Sequence, residues 1–380
     1  MRVKTLFFTL FFCSTILYSQ ESLLEEAIAL GEKMEEAAIS EEFGDINNKL
    51  DKDGFVKRII IDSDDSRVKN FNEGFLEGFS KALSFYSLVF KQIITQEDEF
   101  TFIRAYIKDD TAHLIFRVFG EGGINYHDYE LARVGDELKV TDFFIYLSGE
   151  NISATIQRIY LMTAKGSIGQ IGNENVGSIS LESVAELPKI RSLVNQGMFE
   201  EAQKTMSTLG EEILKEKAFA LIDVQIKGNL DEDIYLEALS NYQKNFPNDP
   251  SMYLVSIDFL LLQERYDDCL KNIDQLDKAV GGDYFLDFYR GNIKYVQGDL
   301  AAAEAYFLAV TIENPDSIDA FDSLLSTYID QLKNEKAVEI LNYFVNYFGV
   351  DKSDLKAIME AEPSYADFRA TEAFKNWENN

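Results

Sequence analysis

The chain is short of the residues that build covalent or metal-held folds. Among its 380 residues are two cysteines and two histidines. That excludes a disulfide framework and leaves little for a zinc site. Positive charge is scarce as well: 36 Lys and Arg stand against 66 Asp and Glu, a net of −30. An acidic surface of this size repels phosphate backbones and anionic lipid, which argues against nucleic acid or a membrane surface as partner. Catalytic signatures are missing too. There is no Gly-rich phosphate loop, no Gly-x-Ser-x-Gly, no His-Glu-x-x-His and no Cys-x-x-Cys. These absences lead to the expectation of no cofactor, no bound metal and no enzymatic activity.

What is present is apolar and aromatic mass. Hydrophobic residues make up 46% and aromatics 13%, enough for real cores. The length suits two or three domains of roughly 150 residues each. At the start, Arg2 and Lys4 precede an apolar stretch from Leu6 to Leu17, shorter than the roughly 20 residues a spanning helix needs. With small Ser19 after it, this reads as a secretory signal over 1–19, cut after Ser19 or Gln20. Cys13 raises a lipid-anchor alternative, but bulky Phe12 stands where a small residue belongs. The expected location is therefore outside the cytoplasm, periplasmic first, with full secretion or a lipid anchor as alternatives. Cleavage leaves one thiol, Cys269.

Residues 20–164 change period midway. Leu23, Leu24, Ala27, Leu30 and Met34, then Phe71, Phe75, Phe79, Leu83 and Tyr86, recur at helical spacing. From Glu99 the period becomes two, giving strands at Phe100–Lys108, Thr111–Phe119, Ile124–Val134 and Glu137–Leu147 with tight turns at Asp109–Asp110 and Gly135–Asp136. Helical spacing returns from Asn151 to Thr163. Helices followed by an antiparallel meander make an α+β domain. The order of elements over 21–163, with the run Asn125 to Leu131, resembles the NTF2-like or cystatin-like domains of secreted bacterial proteins. Residues 165–180 carry Gly166, Gly169, Gly172 and Gly177 without periodicity and read as a linker.

Several polar groups in this half are candidates. Arg104 and Arg117 interrupt apolar alternation and, with Asp142, form a candidate pocket if the sheet curls around an anion. The plainer reading is a solvent-facing or salt-bridged arginine. His113 and His127 lie on adjacent strands beside Asp128, Glu130 and Asp142, but two histidines on a sheet are usually ordinary polar surface. Asp62, Asp64, Ser66 and Glu73 have calcium-loop spacing, yet Arg67 occupies the position that must be glycine.

Residues 181–380 repeat themselves at an offset of 34. Cys269, Ala303 and Ala337 fall in register, as do Ile273, Phe307 and Leu341. Units starting at Pro250, Tyr284 and Ile318 follow without gaps, and Gly291, Gly298, Ala303, Phe307 and Pro315 sit at the small, aromatic and proline positions of a helix–turn–helix repeat. Gly197, Phe199, Ala202 and Pro247 extend the pattern weakly toward Ser183. Over about 183–349 the chain thus resembles the tetratricopeptide repeat family. Leu355, Ile358, Phe368, Phe374 and Trp377 are suited to cover the open apolar end of the array.

The resemblance implies a stack of helix pairs whose first helices line a concave wall that grips a partner segment. The wall positions include Asp258, Phe285, Phe288, Asn292, Tyr295, Asp319, Asp322, Ser326 and Asp330. Asn292, ninth in its unit, resembles the side-chain amide that clamps a peptide backbone, while Asp258 and Ser326 depart from it. No Lys or Arg stands on the wall to hold a C-terminal carboxylate, so the expected partner is a protein or peptide with apolar and basic residues. The competing reading of Phe285, Phe288 and Tyr295 is packing between helices. The leading expectation is an exported, non-enzymatic interaction scaffold. The alternative is a small-molecule-binding or catalytic N-terminal domain with the repeats as an oligomerisation arm.

Overall fold

The computed structural model describes residues 3–82, 89, 99–120, 123–168, 186–247 and 249–379. They divide into two compact units, Met1–Phe259 and Leu260–Asn380. Among the described residues no helix is long and apolar enough to cross a membrane.

The first unit opens with α1 (Val3–Ser40), α2 (Lys52–Ile59) and α3 (Ser66–Ala82). A meander follows: β1 (Glu99–Lys108), β2 (Thr111–Gly120), β3 (Gly123–Val134), β4 (Glu137–Ile145) and the two-residue β5 (Glu150–Asn151), all antiparallel in chain order. Asp109 and Asp110 both take positive φ, 50° and 61°, as a two-residue hairpin turn requires. The helical spacing in α1 has a structural purpose: Ala27, Leu30, Met34 and Ala37 are buried against the sheet. At Gly31 a β-carbon would lie 2.4 Å from the Phe102 ring, so this glycine is what lets α1 approach β1. One sheet face carries Phe100, Leu114, Phe116, Tyr129 and Phe143 into this core. Phe71, Phe75 and Phe79 pack against the same core, with Phe71 and Phe75 against Tyr160 at 5.5 and 5.1 Å between ring centroids. Leu83 and Tyr86 lie outside the described residues.

The second sheet face is partly covered as well, which strict alternation did not anticipate. Ile115, Arg117, Tyr126 and Tyr146 are all buried. After α4 (Ile152–Ile168) the chain returns through α5 (Glu186–Asn195), α6 (Phe199–Met206), α7 (Glu211–Leu214), α8 (Lys217–Gly228), α9 (Glu232–Asn245) and α10 (Pro250–Val255). These helices belong to the same unit as the sheet. Lys217 lies 4.4 Å above the Phe144 ring, and Arg191 donates to the Ser148 carbonyl at 3.1 Å. Arg158 pairs with Glu150 at 3.1 Å and Glu216 at 3.4 Å, and Arg191 with Glu150 at 3.0 Å. This largely buried ion cluster joins α4, β5, α5 and the start of α8. Of the expected linker, residues 165–168 continue α4 and 169–180 lie outside the described residues. The division between compact units falls at Phe259/Leu260, inside the repeat array.

The 34-residue period is written into the backbone. Glu264, Gly298 and Leu332 recur at that offset with φ of 54°, 77° and 59°. The residue after each donates its amide back to Leu260, Lys294 and Tyr328. This is the left-handed turn that ends the first helix of each pair. The pairs are α11 (Ile257–Leu262) with α12 (Tyr266–Val280), α13 (Tyr284–Val296) with α14 (Leu300–Glu313), and α15 (Ile318–Asp330) with α16 (Asn334–Asn346). The first of these first helices is broken: Ser256 interrupts it between α10 and α11, and its hydroxyl bonds the Met252 carbonyl. Gly197 makes the same turn with φ 71°. Cys269, Ala303 and Ala337 are fully buried where paired helices touch. A cap closes the array with α17 (Lys352–Ala361), a 3₁₀ turn (Pro363–Tyr365), α18 (Ala366–Arg369) and α19 (Glu372–Asn379). Leu355, Phe368, Phe374 and Trp377 are buried in it as expected, but Ile358 is 54% exposed, because it lies on the outer side of α17.

Candidate functional site

The sheet residues singled out from sequence do not converge. Arg104 lies over the Tyr106 ring at 4.7 Å. Arg117 is buried; it donates to Thr101 Oγ1 at 3.3 Å and lies 4.0 Å from Glu99. Asp142 sits on β4, while Arg104 and Arg117 sit on β1 and β2. Its carboxylate accepts from the Phe143 and Ser153 amides at 2.9 and 3.2 Å, from the Ser153 hydroxyl and Asn151, and from Arg58 at 3.3 Å. Asp142 therefore caps the start of α4 and ties it to β4. Burial raises its carboxyl above the usual range despite those donors. The expected partner Arg117 is replaced by Arg58, which reaches Asp142 from α2.

The two histidines share adjacent strands but face opposite ways. His127 pairs across to Phe116 on the core face, is fully buried, and is pushed down to about 3 by that burial, so it stays neutral. His113 is on the other face, where Asp128 bonds its Nδ1 at 2.9 Å and takes the Tyr106 hydroxyl at 2.6 Å. Alternation of side chains along a strand separates them. Among the described residues no group of three His, Cys, Asp or Glu could hold a metal.

The wall residues of the second unit do come together. Asn292 and Tyr295 lie one turn apart on α13; Asp319, Asp322, Ser326 and Asp330 form one stripe of α15. Tyr295 donates to Asp330 at 2.5 Å, which links the two helices. Burial and that carboxylate raise the Tyr295 phenol above its usual range. Phe288 and Tyr295 pack partly against the core of this unit. Phe285 stacks near Phe288 and Tyr289, at 6.1 and 5.7 Å between centroids. Packing thus accounts for the inner edge of these rings, while each stays half-buried. Ile329 and Leu254 turn inward and are buried, so they leave the wall. The Asp258 side chain lies outside the described residues.

Charge is distributed unevenly around this wall. Arg290 is buried and holds Asp274, Asp277 and Asp287 at 2.7 to 2.9 Å. Asp319 and Asp322, by contrast, have no cation among the described residues. Burial, then the Asp319 charge, pushes the Asp322 carboxyl above its usual range. The Asn292 amide makes no hydrogen bond among the described residues. One wall residue was missed from sequence: Tyr365, whose hydroxyl meets that of Ser326 at 2.7 Å. The 34-residue register runs on to Lys352, where α17 begins, but α17 stops at Ala361, so the spacing carried no signal for Tyr365.

No family model and no curated protein matches this chain. Among solved structures, a crystal structure of PilW, described as a widely conserved type IV pilus biogenesis factor, is similar with a TM-score of 0.37 and 15% identity; the match covers 52% of this chain and 99% of that one.

Proposed function

We propose that the protein is an exported, non-enzymatic interaction module whose tetratricopeptide-like wall holds an extended segment of a protein partner bearing apolar and basic residues. The observation that carries this reading is the contrast within the second unit. Arg290 neutralises three aspartates, while among the described residues Asp319 and Asp322 meet no cation and the Asn292 amide meets no hydrogen-bond partner. A basic side chain supplies the missing charge, a backbone amide satisfies Asn292, and an apolar side chain covers the rings. The N-terminal amino acids Arg2 to Ser19 support export through their basic start and short apolar run. The small-molecule alternative loses ground because Arg117 and Asp142 are taken up by structural contacts.

Selection from a random peptide library tests the reading. Enrichment of Lys or Arg with apolar neighbours is expected. Asn292→Ala with Tyr295→Ala should weaken the selected peptides by about 2 kcal/mol or more, as truncated hot spots do. A library without enrichment, or a double variant that binds as wild type, sinks it.

A further inference from the structure

Position nine of successive first helices is occupied by Asn292 on α13 and, 34 residues later, by Ser326 on α15. The two are in different states. Asn292 is half-buried and makes no hydrogen bond among the described residues. Ser326 is already engaged, by the hydroxyl of Tyr365 at 2.7 Å, from a residue 39 positions further along the chain.

The segment that delivers Tyr365 is built like a strap. α17 stops at Ala361, and the chain turns through Pro363–Tyr365 before α18. Glu362 caps its own turn by accepting from the Ser364 amide at 3.1 Å. Both ends are anchored: Arg369 donates to the carbonyls of Met359 and Glu362, and Phe368 is buried in the cap. The tip is held more lightly. Tyr365 is half-buried, packs at the edge of the core, and its polar tie is one hydroxyl–hydroxyl bond. Burial, then the charges of Asp322, Glu362 and Asp330, raises the Tyr365 phenol above its usual range, so it stays a neutral partner for Ser326. The hydroxyl bond and the ring packing hold the closed position.

We propose that the Glu362–Tyr365 turn is an intramolecular stopper that occupies the ninth-position site of α15, so that a bound segment lies over α13 and extends across α15 only when Tyr365 is released. This rests on the reading of the wall as a partner site. It assigns a direction and an end to that site: the open amide of Asn292 is engaged first, and the strap competes for the next position.

The test uses the full chain and a fluorescein-labelled peptide of alternating Lys and Leu. Tyr365→Phe keeps the ring but removes the bond to Ser326; Tyr365→Ala removes the ring as well. Each should bind the peptide about three- to ten-fold more tightly than wild type, with the amides of Glu362, Ser364, Tyr365 and Ala366 exchanging hydrogen at least ten-fold faster and those of α15 and α17 unchanged. Added peptide should raise exchange at 362–366 in wild type as well. Asn292→Ala should weaken binding in every background. If the peptide binds and Asn292→Ala weakens it, but Tyr365→Phe and Tyr365→Ala bind as wild type or worse, the stopper is overturned and the wall reading stands. If no variant binds the peptide, both fall.

Discussion

Asp322 and Asp142 are two carboxyl groups raised by burial, with different consequences. Asp142 accepts from several donors and holds an essential turn, so its removal breaks the α4 cap. Asp322 stands on the exposed wall, where Asp319 adds repulsion and no cation among the described residues answers it. A carboxyl whose folded pKa exceeds its unfolded value destabilises the fold above the folded pKa. The penalty fades as pH drops toward the unfolded value near ~3.9. Asp322→Asn should therefore raise the melting temperature at pH 7, with the gain closing as pH falls to about 4. A lower melting temperature at pH 7 would mean that Asp322 has a favourable partner in the fold. At this scale the sequence was legible where size alone decides. Cys269, Ala303 and Ala337 are buried because only small side chains fit between the paired helices. It was not legible for Arg117, which is buried beside Thr101 of the neighbouring strand although it interrupts the apolar alternation.

The helix pair α13–α14 shows how a local rule becomes an element. Gly291 admits Phe307: a β-carbon there would stand 2.5 Å from the ring. Phe307 is fully buried and has no room to retreat. Gly291→Ala gains up to about 1 kcal/mol in helix propensity and loses roughly 1–3 kcal/mol to overpacking, so net destabilisation is expected. In a stacked array the loss spreads to nearest neighbours. Hydrogen exchange should quicken in α13 to α16 and stay unchanged in β1 to β4, which belong to the other compact unit. Equal loosening of both would show a single cooperative body. The strands and turns were readable because period two and the Asp109–Asp110 turn are local signals; β1 to β4 fall within two residues of their expected bounds. The broken first helix at Ser256 had no such signal, since its apolar spacing runs through the break.

At the scale of the molecule, the ion cluster of Arg158, Glu150, Arg191 and Glu216 decides which helices fold with the sheet. Arg158 and Glu150 are each less than a tenth exposed. Glu150 keeps Arg191 and the Thr155 hydroxyl when Arg158 is removed, so the loss falls below the roughly 3–5 kcal/mol of a fully stranded buried charge. Arg158→Ala should lower the melting temperature and speed hydrogen exchange together in α4, α5 and α8, read by mass spectrometry. Loosening of α5 and α8 with α4 unaffected would mean that the cluster does not couple them. Charge at this scale behaves as composition implies: acidic groups outnumber basic ones, and several cations, Arg58, Arg158 and Arg290 among them, are committed to particular aspartates and glutamates.

The sequence by itself determined the helical entry, the meander, the 34-residue period and the small buried positions, because each is set by neighbours within a few residues or by an exact repeat of them. Only the tertiary structure decided that α5 to α10 belong with the sheet, that His113 and His127 face apart, that Arg58 takes Asp142, and that Tyr365 lies on Ser326. Each of these joins residues far apart in the chain, where no period or spacing records which partner will arrive.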